Sequence, residues 1–279
     1  MSTKEYRASN GIFFRIVGDG EPLLLLHGLL ASGAMFDPLV PLLQSGFRML
    51  IPDLRGHGKS SDLPGPYDVP GLTADLEAVI AGAGFERCAV LGYSHGGAIA
   101  QQLAYTRPAR VSRMMLACTY ACNVATAREY MEAKIFLALL TVLSPRTLAN
   151  LVIKPSSPKP TGAIGLTSEQ AGWLREILGA NRSAPMRGAV RGLTTFDSRP
   201  WLKDIDLPTC VVGGADDAAV PRYHFDTLVN GIPGARGRLV ERAGHTLIWT
   251  RTSELAEIIR ACWQAPVAKN TAPEDAGSG

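Results

Sequence analysis

The sequence has little net charge, no apolar run long enough to cross a bilayer, and no cysteine framework. Its formal net charge is +3 over 279 residues, and no Lys/Arg block is interleaved with aromatics. A nucleic-acid partner therefore has no electrostatic footprint. The longest strongly apolar stretch, residues 135–143, is too short to span a membrane. Residues 1–10 are polar and lack the apolar segment of a secretory signal, so the expectation is a cytoplasmic protein. The five cysteines (Cys88, Cys118, Cys122, Cys210, Cys262) are odd in number and read as small, reduced, buried hydrophobes. Cys118 and Cys122 lie four apart, but no second Cys or His pair at zinc-site spacing accompanies them, so no metal is expected. There is no P-loop, and no cofactor is expected.

What is present is the composition of an ordinary globular chain, 46% hydrophobic and 19% charged. Short apolar runs at residues 23–26, 47–51, 88–92 and 114–118 read as strands buried on both faces. Helical patterns at residues 72–83 and 98–105 separate them, which requires crossover connections and a mostly parallel sheet. Strands return at 209–213 and 238–241, with a closing helix near 253–263. Residues 5–17, turning at Asn10-Gly11, can add an antiparallel edge pair. Between about 121 and 200 no strand is convincing. Helical pieces at 127–143 and 169–178 flank the proline-rich Lys154-Pro155-Ser156-Ser157-Pro158-Lys159-Pro160. The expected organisation is an α/β core over 1–120 and 201–265, a helical cap over 121–200, and a disordered Pro/Gly-rich tail over 266–279.

Gly92-Tyr93-Ser94-His95-Gly96-Gly97 follows a predicted strand and precedes a predicted helix. That is the setting of a nucleophile elbow: a sharp turn lifts the serine Oγ above the sheet, and side chains at Gly92 or Gly96 would collide with neighbouring backbone. The N-terminus of the following helix adds positive potential where an oxyanion would form. Together with Leu26-His27-Gly28 and Asp53-Leu54-Arg55-Gly56-His57-Gly58-Lys59-Ser60, this motif resembles the α/β-hydrolase superfamily. The resemblance covers nearly the whole chain outside the cap and tail, and it is specific for fold rather than substrate.

The resemblance implies an oxyanion hole built from the backbone N–H groups of Leu29 and His95. His27, on this reading, only hydrogen-bonds backbone, and Asp53, Arg55 and His57 shape their loop. A serine needs a base that titrates near neutrality. Of His27, His57, His95, His224 and His245, the last fits the family's chain order of serine, acid, histidine. His224 falls in an amphipathic helical pattern and is expected at the surface. For the acid, Gly213-Gly214-Ala215-Asp216-Asp217-Ala218-Ala219-Val220-Pro221 resembles the family's strand-end loop. Its glycine and proline spacing selects Asp217, with Asp216 as the alternative.

In the cap, Ile135-Phe136-Leu137-Ala138-Leu139-Leu140 fits either acyl binding or plain packing. Trp173 and Trp201 could line a pocket or staple cap to core. Arg175, Arg182, Arg187, Arg191 and Arg199 could greet a carboxylate or face water. The expected function is hydrolysis of a small or medium carboxylic ester through an acyl-enzyme on Ser94. A lactonase of the enol-lactonase kind would use the same groups. Hydroxynitrile lyase, cofactor-free dioxygenase and ligand-receptor readings rank lower. Leu29 stands where the dioxygenases carry an aromatic residue, and epoxide and haloalkane hydrolases need a carboxylate in place of Ser94.

Overall fold

The computed structural model describes residues 3–155 and 165–264. The tail expected over 266–279 and most of the proline-rich stretch lie outside the described residues. Eight strands form one sheet: β1 (Lys4–Arg7), β2 (Phe13–Val17), β3 (Glu21–Leu26), β4 (Phe47–Pro52), β5 (Cys88–Tyr93), β6 (Val111–Ala117), β7 (Thr209–Gly214) and β8 (Arg236–Val240). Their spatial order is β1-β2-β4-β3-β5-β6-β7-β8. β1 pairs antiparallel with β2, and β2 with β4; every later pairing is parallel. The expected edge pair and mostly parallel sheet are both present.

The crossover helices explain why the central strands are apolar on both faces. Helices α2 (Val69–Gly82), α3 (His95–Thr106) and α8 (Arg222–Gly231) accompany one face of the sheet, whose core includes Leu24, Leu26, Val90 and Leu116. Short α1 (Val40–Leu43), short α9 (Leu247–Thr250) and terminal α10 (Thr252–Gln264) accompany the other, with Leu23, Leu25, Leu91 and Met115. Alternate residues of the central strands thus enter two separate cores, which leaves those strands little room for polar residues. Asp68 caps α2 by accepting from the Gly71 N–H at 2.9 Å, which starts that helix three residues ahead of the apolar pattern.

Between β6 and β7 the described residues of the chain form four α-helices: α4 (Ala127–Val142), α5 (Pro145–Val152), α6 (Ser168–Gly179) and α7 (Ser183–Leu193). The chain leaves and re-enters the sheet layer side by side, joined by an isolated antiparallel bridge between Cys122 and Asp197. Thr126 and Glu129 form a capping box that starts α4. Among the described residues no helix is long and apolar enough to cross a membrane.

One cysteine expectation is corrected. Cys210 of β7 and Cys262 of α10 are joined as a disulfide, with Cα atoms 6.5 Å apart. Packing of α10 on the sheet brings together two sulfurs 52 residues apart. Cys88, Cys118 and Cys122 are free and buried as expected.

Candidate active site

In parallel sheets functional groups gather at the carboxyl ends of the strands. Here His27 follows β3, Ser94 follows β5, Asp217 lies in the loop after β7, and His245 lies after β8. Parallel strands therefore deliver four distant pieces of sequence to one edge of the sheet. Ser94 sits between β5 and α3 at φ 53°, ψ −120°, a conformation that an L-residue adopts only under constraint. Two glycines permit it. A Cβ on Gly96 would lie 2.1 Å from the Leu26 carbonyl oxygen, and one on Gly92 2.4 Å from the Gly96 carbonyl oxygen.

His245 Nε2 is 3.1 Å from Ser94 Oγ, and its Nδ1 is 2.9 Å from Asp217 Oδ2. The carboxylate is held from its other oxygen: Asp217 Oδ1 accepts from the Ala219 and Val220 N–H groups, each at 2.9 Å. The Asp217 side chain is 3% exposed, so the imidazole meets a fixed, desolvated carboxylate. Asp217, not Asp216, reaches the imidazole; Asp216 uses its own N–H on the Ala243 carbonyl. Serine, imidazole and carboxylate thus form one continuous hydrogen-bonded line.

Gly28 packs directly on the nucleophile: a Cβ there would meet Ser94 Cβ at 3.3 Å. This places the Leu29 loop beside the serine. The Leu29 and His95 N–H groups donate to no other atom among the described residues. For His95 the reason is general, since the first residue of a helix has no intrahelical acceptor. Two free N–H groups flanking Ser94 are what an oxyanion requires.

The remaining histidines are structural. His27 accepts from the Leu54 N–H at Nε2 and faces the Gly28 carbonyl at Nδ1, both at 2.9 Å, which fixes its neutral tautomer. Burial pushes His27 down to about 4, and burial also pushes His57 and His95 down to about 3. Asp53 accepts from the Gly33 and Lys59 N–H groups at 2.7 Å, and Arg55 pairs with Asp75, so this loop is shaped as expected. His224 departs from expectation. It is 4% exposed, with Nε2 2.8 Å from Glu129 of α4, and burial lowers its pKa. The insert covers what would otherwise be an open face of α8.

Four contributors were not legible in the sequence. The Tyr93 hydroxyl donates to the His245 carbonyl at 2.7 Å and anchors the loop that carries the base. Thr119 Oγ1 donates to the Ser94 carbonyl at 2.6 Å. Asn181 of the insert donates to the Leu30 carbonyl and accepts from the Gly58 N–H at 3.2 Å. Cys118, Asp217 and His245 bring a sulfur, an oxygen and a nitrogen within 4.8 Å of one another, the one possible metal-ligand group among the described residues. The Asp217 and His245 atoms are already hydrogen-bonded to each other. Each of these contacts joins residues far apart in the chain, and no local pattern announces it.

Comparison with known proteins agrees with this fold. The family described as alpha/beta hydrolase fold matches residues 21–252. The chain is 30% identical over 258 residues to the pimeloyl-[acyl-carrier protein] methyl ester esterase of Aeromonas hydrophila, covering 87% of this chain and 95% of that protein. It is 28% identical over 247 residues to the poly(3-hydroxyalkanoate) depolymerase of Ectopseudomonas oleovorans, covering 85% and 82%. The enol-lactonase of Burkholderia xenovorans LB400 superposes with a TM-score of 0.80 over 94% of this chain and 100% of its own, at 21% identity, a likeness of fold alone. With a family match over most of its length and esterase relatives of similar extent, the chain belongs to the α/β hydrolase fold family.

Proposed function

We propose that this hydrolase cleaves a carboxylic ester in two acyl-transfer steps through Ser94. The Ser94 Oγ attacks the ester carbonyl carbon while its proton passes to His245 Nε2. The Leu29 and His95 N–H groups hold the oxyanion, and collapse expels the alcohol with the proton from His245. Water then attacks the acyl carbon, gives its proton to His245, and the acid leaves as Ser94 Oγ recovers its proton. Asp217 orients the imidazole and balances its transient charge. The observation that carries this reading is the unbroken line of 3.1 Å and 2.9 Å contacts from Ser94 to Asp217. The steps need no cofactor.

The helical insert is the substrate cover in this reading. Leu29 and Leu30 pack against an apolar cluster that includes Phe136, Leu140, Met186 and Val190 of α4 and α7. An ester with a lipophilic acyl part suits such a roof, and the methyl ester esterase relative acts on an ester by its name. The test is hydrolysis of p-nitrophenyl esters of increasing acyl length by the native protein and Ser94→Ala. Turnover with a chain-length optimum, lost in the variant, is expected. Equal turnover in both proteins contradicts the reading. Ring opening of lactones without turnover of open esters replaces it with the lactonase reading.

A further inference from the structure

Among the described residues, four that are not glycine hold a positive φ: Leu30 at 62°, Ser94 at 53°, Cys118 at 48° and Arg242 at 53°. All four lie in loops leaving the carboxyl ends of sheet strands, at the edge that carries the site. Strained backbone gathers at functional sites because the surroundings must enforce it. Leu30 belongs to the oxyanion loop, Ser94 is the nucleophile, and Arg242 leads into the loop of His245. Cys118, directly after β6, has no part in the steps above. A glycine would take its conformation without strain, so the side chain itself calls for an explanation.

The thiol is 2% exposed. Its Sγ is within 4.8 Å of an Asp217 carboxylate oxygen and of a His245 ring nitrogen, and the Tyr93 side chain is its other polar neighbour. Burial, with the Asp217 charge next, holds the thiol far above its usual range, so it keeps its proton and can donate. Of the two neighbours, the carboxylate is the stronger acceptor, and the Tyr93 proton already goes to the His245 carbonyl. The Cys118 N–H donates to the Val212 carbonyl at 2.8 Å, which fixes the residue against β7, the strand that feeds the Asp217 loop.

We propose that Cys118 is a positioning residue for the triad acid, its S–H donating to the Asp217 carboxylate and holding it in the plane of His245 Nδ1. The inference rests on the acyl-transfer reading above and deepens it. Without the thiol the carboxylate keeps its loop donors at Oδ1 but loses the donor supplied by β6. It then supports less well the imidazolium that exists only on the way to the transition state. Substrate binding precedes that charge, so kcat changes and KM does not.

The experiment compares Cys118→Ala, Cys118→Gly and Cys118→Ser with the native protein and Ser94→Ala. It reads kcat and KM on the best p-nitrophenyl ester, the rate of Ser94 phosphonylation by excess alkyl fluorophosphonate, and the thermal midpoint. Alanine and glycine lower kcat and the phosphonylation rate about tenfold with KM within about twofold, the low end for a hydrogen bond to a charged group. Serine, a donor of similar size, restores most of the loss. The glycine variant melts no lower than the alanine variant, because glycine relieves the positive φ, so its loss of rate is not unfolding. Native rates in the alanine and glycine variants, with Ser94→Ala inactive, overturn the role of Cys118 and leave acyl transfer standing. A serine variant as slow as alanine also overturns it, by showing that size rather than donation matters. If Ser94→Ala matches the native protein, or the native protein reacts with neither probe, the acyl-transfer reading falls and this inference with it.

Discussion

The sheet edge and the helical insert are built to opposite standards. At the edge, Leu23, Leu24, Leu25 and Leu26 are all 0% exposed, and glycine gaps of less than 3 Å leave no room for one added carbon. In the insert, α4 buries only Leu140 of its sixteen residues, while Met131, Ile135 and Val142 are more than half exposed. Polar ties hold the insert at a few points, Glu129 to His224 and Asn181 to the oxyanion loop. On the proposed reading the contrast has a reason: a reaction centre needs groups fixed to fractions of an ångström, whereas a substrate cover only has to present apolar surface of roughly the right shape. Rigidity is concentrated where the bonds change.

That contrast predicts a steep gradient of mutational effect. The largest falls on the line itself: Asp217→Asn lowers kcat about 10⁴-fold, whereas Asp216→Asn stays within about twofold, measured on the same ester. Comparable losses from both variants erase the distinction drawn between these neighbours. Next, Gly96→Ala forces a carbon against the Leu26 carbonyl and destabilises the fold by about 3 kcal/mol or more in urea unfolding. A near-native midpoint shows that the elbow has slack the structure lacks.

The buried histidines give a smaller effect with a definite sign. His27, His57 and His95 titrate at about 4, 3 and 3 in the folded protein, below the ordinary value of 6.5. The unfolded chain therefore binds more protons as pH falls below about 6.5. Stability is full above that value and declines by up to about 1.4 kcal/mol per pH unit per histidine until the folded values are reached. Urea midpoints measured from pH 7 to 4 should fall steadily; a flat profile down to pH 5 contradicts neutral burial of the three rings. The smallest effect is expected in the insert, where Ile135→Ser changes stability by no more than about 0.5 kcal/mol. A large loss there means that α4 is packed against something.

Legibility follows the same division. The central strands of the sheet were readable to within a few residues because double burial makes them largely apolar runs, and the elbow was readable because its glycines are demanded by the backbone. Asp217 was selected over Asp216 because Gly214 and Pro221 stand around it as they do in the strand-end loop of the family that the sequence resembles. Helix α7 was not readable. Its Pro185, Gly188 and Gly192 look like breakers, yet a Cβ on Gly188 would meet the Tyr67 ring at 2.3 Å, and one on Gly192 the Asp68 Cα at 2.5 Å. These glycines let the helix lie close on the loop ahead of α2, a reason that exists only in three dimensions. His224 looked exposed because the Glu129 that covers it lies 95 residues away. Tyr93, Thr119 and Cys118 likewise act through contacts across strands, which no period or motif encodes.

The most direct test of the central claim is rapid mixing of the protein with excess p-nitrophenyl ester, followed by acid quench and mass analysis of the peptide containing Ser94. The account predicts a burst of one nitrophenol per site and an acyl adduct on Ser94, with neither in Ser94→Ala. Steady turnover with no adduct on Ser94, or an adduct that persists on the Ser94→Ala protein, would contradict it.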